Sequence, residues 1–161
     1  MAITVRPLGE GDRDWADAVI SGHQGSSRTA RLGELLDPLA LPGLVAERDG
    51  RRLGLLTYIL HPDRSLEVLT LHSQVEGAGA GGALLEAAAA LARRRGCRRL
   101  WLVTTNDNLH ALGFYQRRGL RLCALHAGAV DRDRALKPEI PAVNPDNGIP
   151  LHDLLELELR L

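Results

Sequence analysis

Residues 75 to 96 read VEGAGAGGALLEAAAALARRRG, and no other stretch of the chain limits its fold as tightly. Glycine occupies positions 77, 79, 81 and 82, and a run built of Ala and Leu follows. Glycine in a helix costs about 1 kcal/mol relative to alanine, so four of them at a helix start need a reason. A helix N-terminus presents unpaired N–H groups and the positive end of the helix dipole. Removing side chains there lets an anion, above all a phosphate, reach the backbone. The plainer alternative is a glycine-rich turn ahead of an alanine-rich helix. Gly96 stands where a helix C′ glycine would, and Arg93, Arg94 and Arg95 suit the negative end of that helix.

The segments around this unit predict a mixed α/β chain. AITVRPL reads as a first strand, and GDRDWADAVISGH as a helix with Asp residues at its start. QGSSRTARLGELLDPLALPG reads as loop, with one short helix near residues 32–36. LVAERDGRRLGLLTYIL predicts a hairpin turning at Asp49-Gly50. LEVLTLHS is a strand leading to the glycine loop. RRLWLVTT is a nearly continuous apolar strand, NDNLHALGFYQRRG a short helix ending at Gly119, and LRLCALHAGAV a further strand. LLELELRL alternates and predicts a half-buried final strand. Hairpin-linked strands followed by a strand-helix-strand unit imply a mixed sheet with helices on its faces. The 161 residues are read as a single domain, 1–161.

Composition removes several function classes. Lys plus Arg and Asp plus Glu both number 20, which argues against a nucleic-acid binder. Aromatics are 3%, too few for base-stacking platforms. The start, MAITVRPLGEGD, lacks the apolar core of a signal peptide, and no apolar run reaches the roughly 20 residues of a membrane span. Cys97 and Cys123 show no metal-ligand spacing and read as two buried, reduced thiols. Together these predict a cytoplasmic protein with no membrane contact and no metal.

Gly77, Gly79 and Gly82 fit G-x-G-x-x-G, the dinucleotide fingerprint, but the position about 20 residues later, where a ribose-binding acid is expected, falls in CRRLWL, which contains none. No Lys-Ser/Thr follows the glycines, so a P-loop is excluded. Another pattern fits better. EGAGAGGALL, residues 76–85, resembles the Q/R-x-x-G-x-G/A loop of the GNAT N-acetyltransferase superfamily, with Glu76 in the Gln/Arg slot, Gly79 and Gly81 at the small positions and Leu84-Leu85 as helix anchor. NLHALGFYQRRGL resembles that superfamily's N-x-x-A-x-x-x-Y-x-x-x-G-F segment, with Asn108, Ala111, Tyr115 and Gly119 in register and Leu120 in place of Phe. Strand order extends the resemblance over the whole chain. It implies the GNAT fold: a central mixed sheet of about seven strands, helices on both faces, and a parallel pair, LEVLTLHS and RRLWLVTT, splayed at its C-terminal ends.

The resemblance implies acetyl-CoA as donor. Backbone N–H groups of Glu76, Gly77, Ala78, Gly79, Ala80, Gly81 and Gly82 would hold its pyrophosphate, provided that the Glu76 carboxylate points to solvent. Leu71, His72 and Ser73 would pair with the pantetheine arm as an added strand. Asn108 would bond the same arm, a role compatible with capping its helix, and Ala111 belongs to that segment. Tyr115 is matched to the acid beside the CoA sulfur; a core tyrosine is the alternative. Glu67 is the candidate base; a place on a solvated face is its alternative. An acceptor ammonium with a pKa near ~10.4 costs about 4.6 kcal/mol to hold neutral at pH 7, so a base is useful. His72 reads as a surface residue able to stand in for Glu67, and His110 as exposed. A backbone N–H near Leu71 or His72 would stabilise the oxyanion.

In that superfamily the acceptor is shaped by segments corresponding to GHQGSSRTARLGELLD and GAVDRDRALKPEIPAVNPDNGIP. Ser27, Arg28, Arg31, Arg132 and Arg134 are the side chains there that could meet an acidic acceptor group, surface charge being the alternative. The second segment is long for a compact domain and reads as a lid. Its LKPEIP and NGIP elements resemble uncharacterised bacterial members. The expected activity is acetyl transfer to a primary amine of a small molecule, by direct attack. An acyl-CoA-binding module without turnover and a dinucleotide-binding enzyme are the rivals. A homodimer through the last strand or the long connection also fits the sequence.

Overall fold

The computed structural model describes residues 2–161. The strands are β1 (Thr4–Pro7), β2 (Thr29–Arg31), β3 (Glu34–Leu36), β4 (Gly43–Arg48), β5 (Arg51–His61), β6 (Ser65–Ser73), β7 (Arg99–Thr105), β8 (Arg121–His126) and β9 (Leu154–Arg160). The helices are α1 (Arg13–Gln24), α2 (Ala80–Arg94), α3 (Leu109–Arg117) and α4 (Ala129–Asp133). Seven strands form a mixed sheet in the order β1-β4-β5-β6-β7-β9-β8, in which β6 and β7 are the parallel pair. The chain divides into two compact units.

The first unit comprises residues 1–27, 37–100 and 160–161. Its strands β1, β4, β5 and β6 pair antiparallel in turn. The β4–β5 hairpin turns at Asp49 and Gly50, both with positive φ, as the Asp-Gly signal predicts. Adjacent residues of β5 show why helices lie on both faces. Leu55 packs in a buried cluster with Ala16, Val19 and Ile20 of α1. Gly54, pointing the other way, meets α2: a Cβ there would stand 3.0 Å from Leu84 Cδ1 and 3.4 Å from Ala80 Cβ. Glycine is required at that crossing because the helix lies directly on the strand. Asp12, ahead of α1, closes this unit on one side. Its carboxylate accepts from Nη1 and Nη2 of Arg6 (2.7 and 2.8 Å) and from Nε of Arg52 (2.9 Å).

The second unit comprises residues 28–36 and 101–159. Here the structure corrects two readings. Residues 32–36 are not a helix: β2 and β3 pair as a hairpin whose turn residues, Leu32 and Gly33, have φ of 49° and 82°. The arrangement is held by Asp133, which accepts from the Gly33 N–H at 2.8 Å, a partner 100 residues away that local pattern cannot reveal. The stretch read as the strand LRLCALHAGAV ends at His126, and α4 begins at Ala129. Ala129 and Val130 turn inward there, into a buried cluster with Leu151 and Leu154.

The final strand β9 lies between β7 and β8, so it has no free edge for a partner, contrary to the expected dimer contact. At this end of the sheet the edge strand is β8. The two cysteines are not joined by a disulfide, but neither is buried as expected: Cys97 is half-buried and Cys123 exposed. Among the described residues, no helix is long and apolar enough to cross a membrane.

Candidate active site

The glycine loop belongs to the first unit. Gly77 and Gly79 have φ of 77° and 86°, and Ala78 lies between them. Alternating left-handed residues turn successive N–H groups toward one side, the geometry of an anion-binding nest. Gly79 is the N-cap of α2 and supplies no side chain to it. The first ladder bond of the helix, Ala83 N–H to the Gly79 carbonyl at 3.1 Å, comes after the amides of Ala80, Gly81 and Gly82. Leu84 and Leu85 are buried and anchor the helix, as the sequence pattern requires. Glu76 is exposed, so its carboxylate meets water. A side chain that sequence reasoning did not select also reaches the loop: Arg48 Nη2 donates to the Ala78 carbonyl at 3.1 Å.

The strand leading to the loop carries an irregularity that alternation cannot predict. Thr57 pairs with Thr70, but Tyr58 pairs with Val68, leaving Leu69 as an extra residue of β6. Strict alternation would place Glu67 and His72 on opposite faces. With the bulge, Glu67, Thr70 and His72 share the face of their partners Ile59, Thr57 and Leu55, the face covered by α1. Thr57 and Thr70 hydroxyls lie 2.6 Å apart. Glu67 is fully buried, which overturns the solvated alternative, and its Oε1 lies 2.9 Å from His61 Nε2.

His72 is not a surface residue. It is half-buried, and its ring stacks on that of His23 with centroids 4.5 Å apart. Its Nε2 is shielded from solvent without a hydrogen-bond partner. Burial, and secondarily the neighbouring His23, pushes its pKa down to about 4, so the ring is neutral at pH 7. Leu71, His72 and Ser73 use one strand edge to pair with Leu56, Leu55 and Gly54 of β5.

In the second unit, Asn108 caps α3, its Oδ1 accepting from the Ala111 N–H at 3.1 Å. The cap occupies the carbonyl of the side chain and leaves its NH2 group out of this bond. His110 is exposed, as expected. Tyr115 is half-buried, its ring edge-on to Phe114 with centroids 5.5 Å apart. Burial pushes its phenol up to about 12, so it holds its proton at neutral pH.

The two segments expected to shape the acceptor side meet within this unit. Lys137 Nζ donates to the Arg28 carbonyl at 2.7 Å, and Leu32 and Ile140 pack against the cluster around Val130. The long connection is a fastened strap rather than a free lid. Asn144 Nδ2 donates to Asp107 Oδ2 (2.9 Å), Asn147 Nδ2 to the Asp107 carbonyl (3.0 Å), and Asn106 Nδ2 to the Pro150 carbonyl (2.9 Å). Arg134 is consumed in this strap, bonding Asp131 and the carbonyls of Ile140, Pro141 and Leu151. Arg31 is buried and paired with Glu34 at 3.0 Å. These two arginines serve the structure, whereas Arg28 and Arg132 are exposed.

A mixed sheet whose β6 runs into a glycine nest at the start of α2 is the arrangement that the resemblance to the GNAT superfamily implies. Comparison with known proteins shows the family. The chain matches the Acetyltransferase (GNAT) family over residues 13–120 and belongs to that family. It is 38% identical over 160 residues to the uncharacterized protein YxbD of Bacillus subtilis, covering 99% of both chains. Among solved structures it resembles a Bacillus subtilis acetyltransferase in complex with CoA (TM-score 0.74, 16% identity, 99% of each chain). It also resembles a GNAT family acetyltransferase from Elizabethkingia anophelis with acetyl-CoA bound (TM-score 0.69, 20% identity, covering 99% of this chain and 98% of that one). The chain is an N-acetyltransferase with the GNAT fold.

Proposed function

We propose that residues 1–161 work as one cytoplasmic N-acetyltransferase domain that moves an acetyl group from acetyl-CoA to a primary amine of a small molecule. The observation that carries the donor is the nest at Gly77–Gly79 on the N-terminus of α2, free of side-chain caps. The CoA and acetyl-CoA held by two structurally similar proteins support the same donor. In this reading the loop amides bind the pyrophosphate, Leu71–Ser73 align the pantetheine arm, and the Asn108 amide bonds it. Glu67, fixed by His61, takes the proton from the acceptor ammonium. The neutral amine attacks the acetyl carbonyl, the C–N bond forms and the C–S bond breaks. Tyr115 gives its proton to the leaving thiolate and regains one from the newly acylated nitrogen, leaving the neutral amide and the free thiol, and the raised phenol pKa keeps that proton available at pH 7. For a homodimer the reading places the contact on the β8 edge, where Leu122 and Leu125 are 51% and 62% exposed.

The test is release of free CoA thiol from acetyl-CoA against a panel of small amines. At least one amine should be turned over, and Tyr115→Phe should lower kcat by about 100-fold with acetyl-CoA affinity unchanged. Turnover unaffected by Tyr115→Phe would remove that residue from the chemistry.

A further inference from the structure

The donor loop of this chain departs from its family pattern in one respect that bears on charge. Where a Gln or Arg is usual, Glu76 stands, placing a negative group in a segment proposed to bind a pyrophosphate. The fold supplies a cation from elsewhere. Arg48 ends β4, and its Cα partner across the hairpin is Arg51, an exposed residue of β5. The Arg48 side chain is half-buried and extends to the loop, where Nη2 donates to the Ala78 carbonyl at 3.1 Å. Its Nε is shielded from solvent with no acceptor. Among the described residues no carboxylate pairs with Arg48, whereas neighbouring Glu47 is taken by Arg6 at 3.2 Å. Arg52, further along the same hairpin, is taken by Asp12 at 2.9 Å.

A guanidinium drawn partly out of water normally finds a carboxylate, since its charge is costly to shield uncompensated. Arg48 bonds a neutral peptide instead, and that peptide lies between the two left-handed glycines. Holding the Ala78 carbonyl toward Arg48 fixes the orientation of the peptide plane whose N–H belongs to Gly79. The residue thus sets the nest and leaves a net positive charge beside it.

We infer that Arg48 is the fixed cation of the pyrophosphate site, positioning the Ala78–Gly79 peptide and offsetting Glu76. This rests on acetyl-CoA being the donor. Arg48 acts through the loop, so loss of it weakens binding of the diphosphate and leaves the acyl end untouched.

The experiment measures affinities by calorimetry for acetyl-CoA, 3′-dephospho-acetyl-CoA and S-acetylpantetheine. Arg48→Gln should weaken the first two equally, by roughly tenfold to 100-fold, and leave S-acetylpantetheine unchanged. Arg48→Lys should recover part of the loss, because it keeps the charge without the planar fork. Adding Glu76→Gln to Arg48→Gln should restore affinity in part. The unfolding temperature of each unliganded variant checks that the fold is kept, and Arg48→Lys carries the test if Arg48→Gln does not fold. Affinity of a folded Arg48→Gln within twofold of wild type overturns the inference. So does a loss seen only with the 3′-phosphate present, which would move Arg48 to that phosphate. Failure of the wild-type chain to bind acetyl-CoA would instead overturn the proposed donor, and this inference with it.

Discussion

His72 shows how a single residue can be misread from sequence and then used. The folded ring refuses a proton down to about pH 4, first because it is desolvated and second because His23 stacks on it. An unfolded chain takes that proton near pH 6.5. The unfolded state therefore binds more protons between these values, and stability is lost as pH falls from about 6.5 to about 4. The loss should be on the order of 2 to 3 kcal/mol, read from urea unfolding at pH 7 and pH 4.5, and His72→Asn should flatten it. Asp12 works in the opposite chemical sense. Two arginines and the Gly9 N–H hold its carboxyl well below the usual carboxylate range. Asp12→Ala removes the carboxylate bound by Arg52 and one of the two acids bound by Arg6, and should cost about 1 to 3 kcal/mol at pH 7 by chemical unfolding. Neither role was visible in the sequence, because Asp12 depends on arginines brought together by β-pairing and His72 on the packing of α1 against β6.

At the scale of elements, the loop–α2 unit was legible because its signals are local. Glycine spacing, the Ala/Leu run, the arginine cluster and Gly96 all fall within 22 residues, and the helix forms where they predict. The β4–β5 hairpin was legible for the same reason, since Asp-Gly carries its turn type in two residues. The bulge at Leu69 was not. LEVLTLHS has no mark of it, and without it Glu67 and His72 would face opposite ways. The β2–β3 hairpin was missed because its turn is secured by Asp133 of α4. Asp133→Ala should therefore leave the Gly33 amide unpaired. Hydrogen exchange should show faster exchange across residues 29–36, with protection in α2 unchanged.

Across the molecule, family, fold and the general class of acetyl transfer could be read from two motifs, whereas the acceptor could not. The segments expected to shape its side are rich in Arg, Asn and Asp, and the structure spends much of that polarity on internal clamps such as Arg134 and Asn144. The β8 edge is a further property of the whole. A sheet edge with exposed Leu122 and Leu125 invites pairing with a second strand. Sedimentation should show self-association that the double substitution of Leu122→Lys and Leu125→Lys abolishes without lowering the unfolding temperature. The central claim is that the nest at α2 takes acetyl-CoA, and thermal unfolding with acetyl-CoA, CoA, NAD and ATP, on wild type and Gly79→Glu, tests it most directly. At 100 times its Kd a ligand stabilises by about 2.7 kcal/mol. Acetyl-CoA and CoA should raise the transition of wild type and not of Gly79→Glu. Stabilisation by NAD or ATP with no response to acetyl-CoA would contradict that claim.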